Sequence, residues 1–289
     1  MRHTWTLTVV VLSLGWLGFR SPTPDLHAQS QPEVAAFTDD FETTTPNWKI
    51  FEELVGGNPC YAAGLGMAER TTVLAFSGQQ SLSVWANGQR GDKSNHLIAY
   101  TDFVPTDVSG LWRYRVRLLI PLATSGFGQT GPEFALQNTR LGPDGRWTTA
   151  TAGVQYIANS YMPDVGGWHL WIATAPGRAN WSDTVLAPLS PGQWYTATLD
   201  VDYGTNHYLG FGLTGPATNL YVPLKTYQIA EEVKGFVEPS FVLTLESENM
   251  WNNCQAGVVF DYQVLYDKVE ASHIHLLLLP IVFGGTFAS

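Results

Sequence analysis

Residues 111–120 read Leu-Trp-Arg-Tyr-Arg-Val-Arg-Leu-Leu-Ile, and no other segment indicates the fold as clearly. Apolar side chains occupy every second position from Trp112 to Ile120, and three arginines lie between them. A period of two places the apolar side chains on one face of a β-strand and the arginines on the other. We therefore predict a strand with one face in a hydrophobic core.

The same alternation recurs in residues 133–137, 195–202, 241–248 and 260–265, with Gly, Pro, Asn and Asp between the segments. Many short alternating strands separated by turn residues are typical of antiparallel sandwiches. The best candidate for a helix is Thr226–Lys234, at two turns. We predict an all-β chain, an antiparallel two-sheet jelly-roll sandwich, with one domain over residues 37–270.

The two ends differ in character from this domain. Residues 1–28 resemble a signal peptide, with Arg2 before the apolar run 9–17, which is too short to span a bilayer. An uncleaved membrane anchor is the alternative. Residues 29–36 are predicted to be a flexible segment. Residues 271–289 form an apolar tail or a last edge strand. We expect a secreted or cell-surface protein with no stable membrane insertion after signal removal.

Composition narrows the classes of partner. The formal net charge is −10, and hydrophobic residues make up 45% of the chain against 14% charged residues. Nucleic-acid-binding domains usually carry a basic patch and a high pI, so the acidic balance excludes nucleic acid as an expected partner. The apolar content also excludes a disordered chain.

Two cysteines, Cys60 and Cys254, lie near the start of the domain and before its last strand. Exported proteins form disulfides. The first and last strands of sandwiches are often neighbours, so we predict a Cys60–Cys254 bridge, with two free thiols as the alternative.

Three motifs resemble secreted carbohydrate-active modules. They are Asp39-Asp40-Phe41-Glu42 followed by Trp48, the segment 77–84 (Ser-Gly-Gln-Gln-Ser-Leu-Ser-Val), and the segment 258–264 (Val-Val-Phe-Asp-Tyr-Gln-Val). In this order they resemble the concanavalin A-like lectin/glucanase superfamily. The resemblance implies a jelly roll that handles polysaccharide or glycan; it does not imply an activity, because lectins, hydrolases and lyases share this fold. The E-x-D-x-E strand of family-16 glucanases is absent, as is the R-x-E-x-R strand of jelly-roll alginate lyases.

The candidate catalytic residues are the carboxylates Glu133, Glu246 and Glu248. Glu246 and Glu248 share one strand face, about 6.5–7 Å apart at Cα, and Glu133 is a second partner on another strand. Paired carboxylates at such separations are what glycosidases use. The alternative is that these acids form ion pairs with the arginine stripe of residues 113–117 on neighbouring strands.

Amide and aromatic side chains at alternate strand positions suit sugar hydroxyls and rings. The candidate ligand-binding residues are Arg115, Gln137, Gln155, His169, Trp171 and Tyr208. Trp168 and Trp171 should face opposite ways, with Trp171 outside the core. A β-elimination reaction would instead combine His207 or His169 with Tyr208 and with Arg140 or Arg115.

No cofactor is required by these motifs, but a structural calcium is an expectation. Oxygen ligands would come from Asp39 or Asp40 in the opening strand and from Asp261 or Asp267 in the closing strand. Many sandwiches of the resembled superfamily hold calcium at such a place, and solvated turn carboxylates are the alternative.

The function we expect first is recognition of an extracellular polysaccharide on a polar, aromatic-bearing sheet face. The first alternative is a polysaccharide-degrading enzyme, either a glycoside hydrolase using Glu carboxylates or a polysaccharide lyase. The second alternative is a non-catalytic structural or adhesive protein.

Overall fold

A computed structural model describes residues 34–54, 66–86, 95–105, 107–119, 130–142, 144–157, 167–186, 190, 192–234, 240–249 and 262–274. Within these ranges the chain forms sixteen β-strands and no helix. Consequently this part of the chain contains no helix that is long and apolar enough to cross a membrane.

The strands, numbered in chain order, form two antiparallel sheets of eight strands each. Sheet 1 contains β1 (Val34–Asp39), β3 (Gly66–Thr71), β4 (Ser81–Ala86), β6 (Leu111–Leu119), β11 (Trp194–Asp202), β12 (His207–Gly215), β13 (Thr218–Pro223) and β16 (Tyr262–His273). Its spatial order is β13-β12-β11-β6-β16-β4-β3, and β1 also pairs with β16.

Sheet 2 contains β2 (Lys49–Leu54), β5 (Asn95–Phe103), β7 (Thr130–Leu141), β8 (Trp147–Ile157), β9 (Gly167–Ala175), β10 (Arg178–Trp181), β14 (Ala230–Lys234) and β15 (Ser240–Asn249). Its spatial order is β10-β9-β8-β7-β15-β5-β2, and β14 also pairs with β8. The predicted all-β, two-sheet jelly-roll sandwich is confirmed.

The core lies between the sheets and uses the predicted apolar faces. On β6, the alternating side chains Trp112, Tyr114, Val116 and Leu118 are buried in this core. Aromatic rings join the two sheets: Trp112 lies 4.5 Å from Phe241, and Trp168 lies 5.1 Å from Phe211, between ring centroids. Because each buried aromatic side chain contributes about 1.5–3 kcal/mol, this layer supplies much of the stability of the sandwich.

The first and last described strands are neighbours, as expected: Asp39 on β1 is opposite Val269 on β16. The paired strands extend from Val34 to His273, slightly beyond the predicted limits of 37–270. The predicted signal peptide (1–28), the segment 29–33 and residues 275–289 lie outside the described part of the chain.

The predicted helix at Thr226–Lys234 is wrong. Ala230–Lys234 is strand β14, and it pairs with β8 from Thr151 to Trp147. Helix-forming residues such as Glu231 favour a helix only weakly, and main-chain pairing with a long neighbouring strand outweighs that preference.

Candidate active site

Four polar side chains lie in one row across sheet 2. Glu246 on β15 pairs with Glu133 on β7. Glu133 pairs in turn with Gln155 on β8, and Gln155 pairs with His169 on β9. Each of the four is next to a buried apolar residue of the core on its own strand, so the row points away from the core. We call these four residues the polar row.

His96 on β5 joins the row at the Glu246 end. Its Nε2 lies 2.5 Å from Glu246 Oε2 and 3.6 Å from Glu133 Oε2. The three side chains are only 10%, 5% and 13% exposed, respectively, for His96, Glu246 and Glu133. One donor atom from each lies within 4.8 Å of the other two. We call these three residues the His96 cluster; imidazole and carboxylate groups at this spacing suit proton transfer or metal coordination.

Tyrosines from sheet 1 hold the main chain beneath the His96 cluster. The Tyr266 hydroxyl donates to the carbonyl of Glu246 at 2.6 Å and lies 3.2 Å from the carbonyl of Glu133. The Tyr114 hydroxyl donates to the carbonyl of Thr244 at 3.1 Å. Burial raises the pKa of Tyr114 well above its usual value, and the charge of Glu246 adds to the effect, so this hydroxyl remains a donor.

His169 is held in one tautomer at the other end of the row. Its Nδ1 lies 2.8 Å from the carbonyl oxygen of Ser182. A carbonyl oxygen only accepts, so Nδ1 carries the proton, and Nε2 is the basic nitrogen of the neutral ring. A neutral His169 side chain with this tautomer can accept a proton at Nε2.

Two indole rings extend the row toward the edge of sheet 2. Trp171, two residues after His169, lies opposite Trp181 on β10, with ring centroids 5.1 Å apart at 62°. Both rings are partly exposed. Gly153 lies beside Trp171, where an added Cβ would come within 3.4 Å of the Trp171 Cβ. The partly exposed ring pair is suited to stacking against a sugar.

The structure brings together five of the predicted site residues on this face: Glu133, Glu246, Gln155, His169 and Trp171. As predicted, Trp168 lies in the core and Trp171 faces outward. Gln137 is on the same face, further along β7 and opposite Val242.

Two further residues complete the account of this face. Glu248 pairs through its main chain with His96, and its side chain lies outside the described part of the structure. Sequence reasoning missed His96, because nothing local indicates that β5 lies next to β15.

The predicted role of Tyr208 in ligand stacking is wrong. Its side chain is fully buried, and its hydroxyl donates to the carbonyl of Trp171 at 2.7 Å. The pairing of β11 with β12 shifts so that Asp200 is opposite Gly210 and Val201 is opposite Tyr208. Leu209 is thus an extra residue, and such a β-bulge reverses the alternation before it, which turns Tyr208 into the core.

Arg115 lies on the other sheet, away from the carboxylates. It lies on the outer face of sheet 1, where its Nη1 contacts Glu270 at 2.9 Å. Its neighbours behave alike: Arg113 contacts Asp200 at 2.6 Å, and Arg117 lies 3.7 Å from Asp267. The predicted place of Arg115 in the ligand site is therefore wrong. So is the alternative in which the arginine stripe neutralises Glu133 and Glu246.

The other β-elimination residues are also apart from the row. Arg140 is near the far end of β7, seven residues from Glu133 or about 23 Å along an extended strand, and its Nη2 donates to Asn206 Oδ1 at 2.6 Å. His207 lies at the start of β12 on sheet 1, with its Nδ1 2.6 Å from the carbonyl oxygen of Thr205. Of the predicted bases, only His169 lies in the polar row.

The predicted disulfide residues, Cys60 and Cys254, lie outside the described ranges. So does Asp261, one of the predicted calcium ligands. Asp40 is exposed and accepts a hydrogen bond from the main-chain N–H of Glu42 at 3.2 Å. Asp267 is buried and accepts hydrogen bonds from the main-chain N–H of Phe76 and from Ser77.

Comparisons with known proteins bear on the fold. No family model matches the sequence, and no curated protein matches it. Among solved structures, the endo-β-1,4-glucuronan lyase of the fungus Trichoderma reesei is similar, with a TM-score of 0.50 and 14% identity over 83% of this chain and 96% of that one. This similarity shows that the two chains share a jelly-roll fold.

Two further solved structures are less similar to this chain. The PL-14 alginate lyase of Aplysia kurodai has a TM-score of 0.44 and 9% identity over 71% of this chain and 86% of that one. Lectin I-B4 of Griffonia simplicifolia has a TM-score of 0.42 and 12% identity over 82% and 98%. A jelly roll can carry many different functions, so the fold alone does not assign one to this chain.

Proposed function

We propose that the protein is an extracellular enzyme that cleaves a polysaccharide on the outer face of sheet 2. The observation that carries the proposal is the His96 cluster, in which a nearly buried imidazole lies 2.5 Å and 3.6 Å from two carboxylates. Burial of charged groups on a sheet face costs stability unless they are paired closely. Active sites are where folds concentrate such groups.

The polar row offers the groups that either cleavage reaction needs. Hydrolysis needs a group that polarises the glycosidic oxygen and a base for water; elimination needs a base and a group that neutralises a uronate carboxylate. His169 is the proposed base, because the contact with Ser182 favours the tautomer in which Nε2 accepts a proton. The His96 cluster supplies a proton donor for the glycosidic oxygen, and the amide of Gln155, between the cluster and His169, can donate a hydrogen bond to a sugar hydroxyl or to a uronate carboxylate.

The geometry also fits a polymer lying across the strands. Neighbouring strands are about 4.8 Å apart, so His169 and Glu133, two strands apart, are separated by about 10 Å at Cα. Side chains converging over that distance can contact the same or adjacent sugar rings. Trp171 and Trp181 would hold the next ring toward the sheet edge, since aromatic faces stack on pyranoses with little loss of side-chain entropy.

The proposal is tested by assaying new reducing ends and the ultraviolet absorbance of unsaturated uronates over a panel of neutral and uronic polysaccharides. Glu246→Gln should lower the rate by at least about 100-fold. Glu270→Gln is the matched control, because that acid contacts Arg115 on sheet 1, and it should leave the rate nearly unchanged. Equal activity in wild type and Glu246→Gln would contradict the proposal.

A second candidate function is glycan binding without cleavage, which the partly exposed Trp171–Trp181 pair favours. Absence of products on the whole panel, together with retarded migration in a polysaccharide gel, would favour this function over the enzyme.

A further inference from the structure

We propose that the His96 cluster binds one divalent transition-metal cation, with Zn²⁺ as the reference ion. The ligands would be His96 Nε2 and one carboxylate oxygen each from Glu133 and Glu246. These three donor atoms lie within 4.8 Å of one another and come from three adjacent strands, β5, β15 and β7.

The observed separations are close to those that one ion imposes. Zn²⁺ bonds imidazole nitrogen and carboxylate oxygen at about 2.0–2.2 Å, so two of its tetrahedral ligands lie about 3.4 Å apart. The His96–Glu133 separation is 3.6 Å, and the His96–Glu246 separation is 2.5 Å. Binding of the ion would therefore require the Glu246 side chain to rotate, so that the shorter contact lengthens to about 3.4 Å.

The strands hold the ligands before any ion arrives. Glu133 and Glu246 are directly paired across the ladder. The Tyr266 hydroxyl contacts the main-chain carbonyls of both. A rigid support of this kind keeps the donors together and is the feature that metal sites most need beyond the ligands themselves.

The ligand set selects the type of cation. Imidazole is a preferred ligand of Zn²⁺ and its transition-metal neighbours, whereas Ca²⁺ takes six to eight oxygen ligands. Three protein ligands also leave a coordination position open, as in catalytic zinc sites. This site is on sheet 2, whereas Asp40 of the expected calcium site directly follows β1 of sheet 1.

A bound cation would give the His96 cluster a further role in the proposed function. Bound to two carboxylates, it offsets their charge, so that a uronate carboxylate or a sugar oxygen can approach the open position. This role rests on the proposed enzyme activity. The binding of the ion does not, because it can be measured without any polysaccharide.

The test is calorimetric titration of the full-length protein, stripped of metal with a chelator, with Zn²⁺ alone. We expect one equivalent to bind, and His96→Ala, Glu133→Gln and Glu246→Gln each to weaken binding by more than about 100-fold. His273→Ala is the matched control, because His273 lies 3.5 Å from the single carboxylate of Asp107; it should change the affinity by less than about threefold. Zn²⁺ binding that all three cluster substitutions leave unchanged would overturn the assignment.

X-ray absorption of the zinc-loaded wild type keeps the test independent of how well the variants fold. One imidazole nitrogen with oxygen neighbours is expected, and sulfur coordination would contradict the site. Failure of the two proposals is distinguishable: Zn²⁺ binding without cleavage of any polysaccharide would remove the proposed activity alone. Cleavage by a protein that binds no Zn²⁺ would remove the metal site alone.

Discussion

On the outer face of sheet 1, three acids lie beside guanidinium groups, whereas on the outer face of sheet 2 two acids lie beside an imidazole. The Arg115–Glu270 pair is typical of the first face, and the His96–Glu246 pair of the second. A guanidinium stays charged at any ordinary pH, so its pairs act only as fixed electrostatic contacts. An imidazole can exchange a proton or bind a metal, so a similar contact becomes chemically active. The outer face of sheet 1 therefore holds fixed ion pairs, whereas the outer face of sheet 2 holds the groups on which the proposed function rests.

The largest expected effect is a loss of stability from a substitution on the outer face of sheet 1. Asp267 is fully buried, accepts hydrogen bonds from the main-chain N–H groups of Phe76 and Ser77, and lies 3.7 Å from Arg117. Asp267→Ala should lower the free energy of unfolding by about 3 kcal/mol, because it leaves these donors without their carboxylate. Denaturant unfolding measures the change.

Asp102→Ala is the control for that experiment, since Asp102 pairs with Lys49 at 2.9 Å on the exposed surface. Exposed ion pairs contribute little to stability, so the free energy of unfolding of this variant should fall much less than that of Asp267→Ala. If the two substitutions lowered the free energy of unfolding equally, the buried and multiply hydrogen-bonded Asp267 would contribute no more to stability than an ordinary surface ion pair.

An intermediate effect is expected where the two sheets meet. Tyr266→Phe removes the hydroxyl that contacts the main chain of Glu133 and Glu246. It should cost about 1 kcal/mol of stability and weaken Zn²⁺ binding by about tenfold. Tyr203→Phe removes an equally buried hydroxyl that donates to Leu136, away from the cluster. Tyr203→Phe should lower the free energy of unfolding by a similar amount and leave the Zn²⁺ affinity unchanged. If Tyr203→Phe also weakened Zn²⁺ binding, the effect of Tyr266→Phe on affinity would reflect only a general loss of stability.

The smallest effect concerns a buried carboxylate that belongs to neither outer face. Desolvation by burial raises the pKa of Asp39 above 3.8, against the hydrogen bond that Trp48 Nε1 donates at 2.7 Å. A raised pKa in the folded state favours the protonated form, so its contribution to stability is present below pH 3.8 and is lost as the pH rises through the folded pKa.

Urea unfolding of wild type and Asp39→Asn over this pH range measures the effect. The stability of the wild type relative to the variant should fall with rising pH. Asp40→Asn, at the exposed neighbouring position, controls for the effect of the substitution itself on the free energy of unfolding. A relative stability that rises with pH would mean that the hydrogen bonds of Asp39 outweigh its burial.

Much of the fold follows from local pattern. Trp112 and its alternating neighbours had to face a core, because the period of two is a property of one strand and needs no partner. The same reasoning placed Gln155 and Trp171 on an outer face. The sequence determined these faces without reference to the rest of the chain.

Only the tertiary structure decided which strands are neighbours. The His96 cluster exists because β5, β15 and β7 lie side by side, although more than a hundred residues separate His96 from Glu246 in the chain. Likewise, the bulge at Leu209 turned Tyr208 inward, and pairing with β8 made Ala230–Lys234 a strand. Strand pairing and bulges depend on main-chain contacts between distant segments, which local periodicity does not encode.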